Sequence, residues 1–403
     1  MPRKPLALYI HVPFCETKCP YCDFNTYAAI ESLMPGYVDA LTHEVTQWGS
    51  WLGKPELSSL FFGGGTPSYL PTRDIRRMIQ TVRTAYVLAD DAETTLEANP
   101  GDCSRERLQA VRRAGINRLS IGVQSLDNNE LRLLGRRHSA EQAIAAVDAA
   151  RQAGFDNLSV DLMFGLPNQF VSSWEHTVHE AIALGPEHVS AYALTLEGGT
   201  PMEADVAQGR LPEPDADLAA EMYLLAQREL AAAGYEQYEI SNWAKPGRAS
   251  THNLTYWRNA QFLGVGPGAH SYLVPEAEST SHGVRFATVK PPRTYIEQAK
   301  AWQADGPLTA ETIASAGAID TVEELTEAME AADTMMMGLR LNDGVSDASF
   351  RARFGVGIAD RFPDAVSECI SLGLLEWADD SLRLKEEARL LGNEAFMRFV
   401  ATA

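Results

Sequence analysis

His11-Val-Pro-Phe-Cys-Glu-Thr-Lys-Cys-Pro-Tyr-Cys-Asp-Phe24 places three cysteines, Cys15, Cys19 and Cys22, within eight residues at C-x3-C-x2-C spacing. Thiolates this close can share one metal centre. Four-thiolate zinc and iron–sulfur sites need one more ligand, and Phe24 stands where a nearby fourth cysteine would be sought. Three cysteines leave one iron of a [4Fe-4S] cluster open. The alternatives are a partial zinc site completed by a distant histidine or by Cys103, or ordinary loop cysteines.

Leu6-Ala-Leu-Tyr-Ile-His-Val12 precedes this loop and stops at Pro13, which predicts a buried strand delivering its C-terminal end to the cysteines. The same pattern recurs at Ser58–Phe62 before Gly63-Gly-Gly-Thr-Pro67, at Thr94–Ala98 before Asn99-Pro100, and at Arg118–Val123 before Gln124-Ser125. It appears twice more, at Leu158–Phe164 before Gly165-Leu-Pro167 and at His188–Leu194 before Thr195-Leu-Glu197. Between these six candidate strands lie helical stretches, including Arg105–Ala114, Ala140–Ala153 and Ser173–Leu184, each followed by a glycine suited to a C-cap. Such alternation means parallel βαβ units, in a doubly wound sheet or in a complete or partial barrel. Polar residues gathered at strand C-terminal ends, namely Gly63–Thr66, Glu97, Gln124 and Asp161, favour the barrel, because that face carries the sites of such folds.

Beyond Glu197 the pattern loosens. A long amphipathic helix is expected over Ala216–Ala233, an extra strand over Tyr235–Ile240, then the aromatic stretch His252-Asn-Leu-Thr-Tyr-Trp257 and the glycine-rich Gly264–Ser271. Residues 273–294 read as an irregular loop rich in Ser, Pro and charge. Helices are expected over Glu323–Leu341, Phe350–Gly355 and Ala359–Leu372, and a hairpin over Gly373–Leu384. The expected fold class is α/β: a partial (βα)6 TIM-like barrel over residues 1–240, additional α+β elements and irregular loops over 241–320, and a small winged-helix-like C-terminal domain over 321–403.

Among 403 residues, 54 are acidic and 34 basic, giving a formal charge of −20, and no Lys/Arg run stands out. No nucleic-acid partner is expected. Five cysteines with an odd cluster of three argue against a disulfide framework and for a reducing compartment, so a cytoplasmic location is expected. The opening Met-Pro-Arg-Lys-Pro resembles a signal-peptide n-region, but Leu6–Ile10 is too short for the apolar region that would follow. No stretch approaches the roughly 20 apolar residues of a membrane span.

Several residues carry two readings. Gly63–Gly65 is a tight turn or a backbone edge that binds an amino group or carboxylate. Glu97 caps the next segment or accepts ribose hydroxyls. Gln124 and Asp161 are structural strand-end residues or ligand contacts, and Arg136 sits in Gly135-Arg-Arg-His138, where a solvated helix end is the plain alternative. His252 lies beside two aromatics able to flank a flat ligand, and is either a satisfied structural histidine or a ligand residue. Met335-Met-Met337 reads as core, and Cys103 and Cys369 as ordinary small residues.

Together the C-x3-C-x-aromatic-C loop, Gly-Gly-Gly-Thr-Pro and the βα repeat resemble the radical S-adenosylmethionine superfamily, whose barrel is the partial (βα)6 form. Tyr9–Cys15, Phe62–Ser68, Ile121-Gly-Val-Gln-Ser125 and Asp161–Gln169 are similar to the group of oxygen-independent coproporphyrinogen III oxidases and their relatives, with Gly264–Ser271 and Leu390–Glu394 as late landmarks. The oxidases of that group carry a fourth cysteine two positions after the third, and an N-terminal extension; here Phe24 takes the cysteine's place and the first strand starts almost at once. These departures, with His252–Trp257, resemble the haem-chaperone branch of the group.

The resemblance implies a [4Fe-4S] cluster on Cys15, Cys19 and Cys22, with S-adenosylmethionine chelating the open iron. Tyr9, Tyr21, Gly64, Gly65, Thr66, Glu97, Gln124, Arg136 and Asp161 match positions lining the S-adenosylmethionine pocket. It further implies haem as cargo, with His252 a candidate ligand, and delivery to haem-accepting respiratory membrane proteins, reached through protein partners at the inner membrane. A homodimer is among the assemblies it allows. Oxidative decarboxylation of coproporphyrinogen III, or another radical reaction, is the alternative function, and the missing fourth cysteine counts against it.

Overall fold

The computed structural model describes residues 6–275 and 282–400; the n-region-like opening and the centre of the Ser- and Pro-rich stretch lie outside the described residues. β1 (Leu6–Val12), β2 (Glu56–Gly64), β3 (Val87–Ala98), β4 (Arg118–Gln124), β5 (Leu158–Phe164) and β6 (His188–Ala193) lie side by side in chain order, all parallel. Their crossovers carry α1 (Met34–Trp51), α2 (Thr72–Ala85), α3 (Arg105–Ala114), α4 (Ala140–Gln152) and α5 (Val171–Ala183), and α6 (Ala216–Ala232) follows β6. Local signals set these bounds. Ser104 caps α3, and Ser139 with Gln142 forms a capping box on α4. Gly115 ends α3 at φ 120°, where a Cβ would meet the Arg83 guanidinium.

The sheet is extended at both edges. β7 (Glu236–Glu239) and β8 (Asn242–Ala244) form a hairpin whose β8 runs antiparallel to β6, and between β8 and the next strand comes α7 (Thr251–Trp257). On the other side β9 (Phe262–Val265) pairs parallel with β1, followed by antiparallel β10 (His270–Leu273), β11 (Val284–Thr288) and β12 (Ile319–Glu324). The resulting 12-stranded order is β12-β11-β10-β9-β1-β2-β3-β4-β5-β6-β8-β7, an open (βα)6 barrel with antiparallel wings.

Two expectations change. Residues 273–294 are not one irregular loop: β10 ends at Leu273 and β11 occupies 284–288, with Val284 and Phe286 buried and the charge of Arg285 on the alternate face. The helix expected from Glu323 begins at Glu327, because Thr326 is its side-chain cap, and 319–324 is β12. Pairing with β11 satisfies the amides of this charged segment, so tertiary context overrides its helical composition. α8 (Glu327–Gly338) then leads into a second core around Met335, Phe350, Leu375, Leu382 and Phe399, formed with helices at 347–354, 358–361 and 363–371 and the hairpin 375–384. Met335 is packing, fully buried there. No helix among the described residues is long and apolar enough to cross a membrane.

A buried acid ties α1 to the β9–β10 turn. Glu44 accepts the Gly266 N–H at 3.0 Å and the Tyr295 hydroxyl, and burial raises its carboxyl to about 7. Glu44→Ala strands both donors in the core and is expected to cost about 2–4 kcal/mol in denaturant unfolding, whereas Glu44→Gln keeps an acceptor and costs less.

Candidate functional site

Along β4 the residues alternate. Leu119, Ile121 and Val123 are fully buried under the helices, while Arg118, Ser120, Gly122 and Gln124 face the barrel interior. β5 presents Asp161 and Met163 inward, and β6 His188, Ser190 and Tyr192. Together with β1, β2, β3, the β7–β8 hairpin and α7, these strands enclose a cavity of about 610 Å³. Every position assigned to a site from the sequence lines it: Tyr9, Cys15, Cys19, Tyr21, Cys22, Gly64, Gly65, Thr66, Glu97, Gln124, Arg136, Asp161 and His252.

The cysteine loop is built by backbone and side-chain bonds rather than by regular structure. Its first residues pair with 27–28 as a two-residue strand, Cys22 N–H donates to Cys19 O at 3.1 Å, and Lys18 Nζ donates to Phe24 O at 3.1 Å. His11, at the end of β1, bonds Asn25 O at 3.0 Å through Nε2 and the Tyr9 hydroxyl at 3.1 Å through Nδ1. Asn25 in turn donates to Pro267 O and Lys290 O at 2.9 and 3.0 Å. Phe24 is 65% exposed at the lip of the cavity.

Each thiol has a polar neighbour. Thr66 Oγ1 donates to Cys15 Sγ at 3.4 Å, Arg136 Nη1 donates to Cys19 Sγ at 3.4 Å, and Thr26 Oγ1 lies 3.9 Å from Cys22 Sγ. Burial pushes the thiols of Cys15 and Cys22 up. Donors aimed at the sulfurs of Cys15 and Cys19, with a hydroxyl beside that of Cys22, suit thiolate ligands of a metal centre, and a bound cation would reverse the effect of burial. Three thiols fit an iron–sulfur cluster with one iron left to another ligand.

Beside them, Gly63–Gly65 is packed too tightly for side chains. A Cβ on Gly65 would sit 2.7 Å from Phe14 O and 2.8 Å from Val12 O, and Gly64 has φ 108° with the His11 ring 2.5 Å from its hypothetical Cβ. The amides of this edge are already donated: Gly64 N to Glu97 Oε2 at 3.2 Å, Gly65 N to Val12 O at 2.7 Å and Thr66 N to Phe14 O at 2.8 Å. None of these three amides is free for a ligand carboxylate, so of the two ligand groups expected at this edge an amino group fits better. The nearby cation is Arg136, which also donates to Gly122 O at 3.0 Å and whose buried Nε–H has no acceptor among the described residues. An orphaned donor beside the thiols fits the carboxylate of an amino-acid ligand.

Further in, Glu97 faces the cavity but is screened from bulk water, and burial, then the Asp161 charge, raise its carboxyl to about 8. Asp161 is also raised by burial, although Ser120 donates to it at 2.9 Å and Ser159 at 3.3 Å. Gln124 adopts φ 66°, a left-handed conformation that a non-glycine residue holds only where its surroundings over-determine it. His252 is fully buried on α7, stacked on Phe61 with ring centroids 5.0 Å apart. Its Nδ1 bonds Ser59 Oγ at 2.9 Å and its Nε2 bonds Tyr256 OH at 2.8 Å; burial, then the Arg118 charge, lower it to about 3. Either nitrogen reaches an iron only by giving up one of these bonds.

Arg118, Ser120, His188, Ser190, Asn242 and Tyr238 also line the cavity, and the sequence reading did not select them. Their signal is alternation: Arg-x-Ser-x-Gly-x-Gln over 118–124 and His-x-Ser-x-Tyr over 188–192 put polar residues on one face of strands flanked by apolar neighbours.

Comparison with known proteins agrees with this geometry. The family model of the radical SAM superfamily matches residues 9–181, and that of the HemN C-terminal domain matches 325–391. "Heme chaperone HemW" of Bacillus subtilis is 36% identical over 98% of this chain and 99% of its own length, and the Mycobacterium tuberculosis protein of that name is 36% identical over 98% and 94%. "Radical S-adenosyl methionine domain-containing protein 1, mitochondrial" of Bos taurus is 44% identical over 71% of this chain and 65% of its own. The structure of coproporphyrinogen III oxidase (HemN) from Escherichia coli superposes with a TM-score of 0.81 at 23% identity, covering 99% of this chain and 91% of that one, which establishes a common fold. The chain belongs to the radical S-adenosylmethionine superfamily and, within it, to the HemW family.

Proposed function

We propose that this protein is a haem chaperone that carries a [4Fe-4S] cluster and S-adenosylmethionine and hands haem to respiratory haem proteins. The observation that carries the reading is the 36% identity, over nearly the whole of both chains, with a protein named as a heme chaperone. Cys15, Cys19 and Cys22 would hold the cluster, and Arg136, Glu97, Gln124 and Asp161, with the Gly64–Thr66 edge and the rings of Tyr9 and Tyr21, would hold S-adenosylmethionine. When bound, these two groups supply reductive cleavage of a sulfonium. The chain's own residues orient the ligand between Arg136 and Glu97, and enclose it within the barrel away from bulk water. The working location is the cytoplasm, with the acceptor membrane proteins reached through protein contacts, since a charge of −20 opposes an anionic lipid surface.

Anaerobically reconstituted protein is expected to give a saturable Soret change with micromolar haem, and no protoporphyrinogen from coproporphyrinogen III with S-adenosylmethionine and a reductant. Absence of saturable binding, or formation of that product, overturns the reading. His252→Ala is expected to weaken haem binding severalfold while leaving iron content intact, and unchanged affinity removes His252 from the haem site.

A further inference from the structure

The inward stripe of β4 has a cation at each end of the cavity's reach. Gln124 and Gly122 lie at the rim, where Arg136 bonds Gly122 O and the cysteines gather. Arg118 begins the same stripe at the opposite end, about 20 Å away along the strand at ~3.3 Å per residue. It is 2% exposed, lines the cavity, and its Nε–H has no hydrogen-bond acceptor among the described residues. Its ion-pair partner among the described residues is Glu93, at 3.9 Å. That carboxylate is committed elsewhere: it accepts the Ser250 hydroxyl at 3.0 Å and the Thr251 and His252 amides at 3.1 Å each, holding the start of α7.

Other polar groups lining the same cavity are engaged as well. Tyr238 OH bonds His188 Nε2 at 2.9 Å and Asn253 Nδ2 at 3.3 Å, His188 Nδ1 bonds Ser159 Oγ at 2.8 Å, and Tyr256 OH bonds His252. A buried guanidinium with an unpaired N–H is a costly arrangement, and one that also lines a cavity is suited to take an oxyanion there. Asp161 lines the same cavity and disfavours a doubly charged phosphate, whereas Phe61, Met163 and Leu194, which also line it, suit an apolar body. The matching ligand is a carboxylate on a largely apolar frame.

We propose that Arg118 anchors a propionate carboxylate of the tetrapyrrole cargo, in a subsite at the end of the barrel remote from the cysteines. This rests on the haem-chaperone reading and adds to it where the cargo's charged edge is held. The same chemistry has a second source, the carboxylate of S-adenosylmethionine, so both ligands are titrated into full-length, cluster-reconstituted protein.

Haemin and haemin dimethyl ester, whose propionates are uncharged, are followed by Soret absorbance, and S-adenosylmethionine by calorimetry. The parent protein is expected to bind haemin at least tenfold more tightly than its ester. Arg118→Gln is expected to lose about that factor for haemin and little for the ester, Arg118→Lys to recover part of it, and S-adenosylmethionine affinity to stay within twofold. Equal affinity of the parent for haemin and ester overturns the proposal even if the variants fail to fold. So does an Arg118→Gln variant weakened for S-adenosylmethionine alone. A parent protein that binds neither porphyrin refutes the chaperone reading itself, and with it this one.

Discussion

Gly65→Ala protein, reconstituted anaerobically, is expected to hold far less iron than the parent chain and to unfold about 2–4 kcal/mol more easily. The collision is with backbone: the added Cβ meets the carbonyl oxygens of Phe14 and Val12 at 2.7 and 2.8 Å. Neither can swing aside as a side-chain tip would, since Val12 O accepts the Gly65 amide and Phe14 O accepts the Thr66 amide. Relief therefore means pulling β2 away from the end of β1, the element that delivers the cysteine loop. Thr66, the donor to Cys15 Sγ, moves with it. Iron and sulfide analysis with a denaturant melt checks this. Parent-like iron content and stability would show that the strand end is looser than its geometry states. Gly101→Ala is a fitting control, because a Cβ there has nothing closer than 3.6 Å.

The second large effect is a reversal with pH. Burial and Asp161 raise the Glu97 carboxyl to about 8, from 4.5 in the unfolded chain. Between those values the folded protein holds a proton that the unfolded chain has lost, so this group makes stability fall as pH rises from about 4.5 to 8 and level off above. Glu97→Gln carries no titrating proton, and its amide oxygen still accepts the Gly64 N–H. The cluster-free variant is thus expected to match the parent near pH 5 and to be more stable at pH 8, by an amount on the order of a few kcal/mol. At pH 8 and above, where the parent's carboxyl ionises, S-adenosylmethionine affinity should move the other way, dropping severalfold or more as one acceptor of a two-oxygen carboxylate becomes a donor. Unfolding curves at both pH values, with calorimetric titration, decide it. Parallel pH profiles for parent and variant would mean that Glu97 is ionised in the folded chain.

Much of the barrel was readable because its signals are local. Leu6–Val12 and Leu158–Phe164 are strands with the bounds their apolar runs indicate, and Arg105–Ala114 is the helix that its cap and glycine mark out. β12 was not readable: Ile319–Glu324 is half acidic, and only the hydrogen bonds offered by β11, 31 residues or more upstream, make it a strand. The rim of the site was likewise legible, since strand ends that stop at glycine or proline expose their polar residues to one face. Its far end was not. Arg118 looks like an ordinary strand-leading arginine until Glu93 is seen to spend its carboxylate on the Ser250–His252 amides and hydroxyl, 157 to 159 residues away in sequence.

Sequence alone thus determined the C-x3-C-x2-C loop, its Phe24 departure and the repeating βα unit, because spacing, period and turn chemistry act over a few residues. Which way each alternating strand face points was decided only by closing six strands around a common interior, since either face satisfies the same pattern. That closure turns Arg118, Ser120, Gly122 and Gln124 into one wall of the cavity that holds the cysteines. It also commits both nitrogens of His252 to Ser59 and Tyr256, partners contributed by β2 and by α7 itself. A hydrogen bond between residues 193 positions apart leaves no trace in local pattern, because only packing brings its two ends within reach.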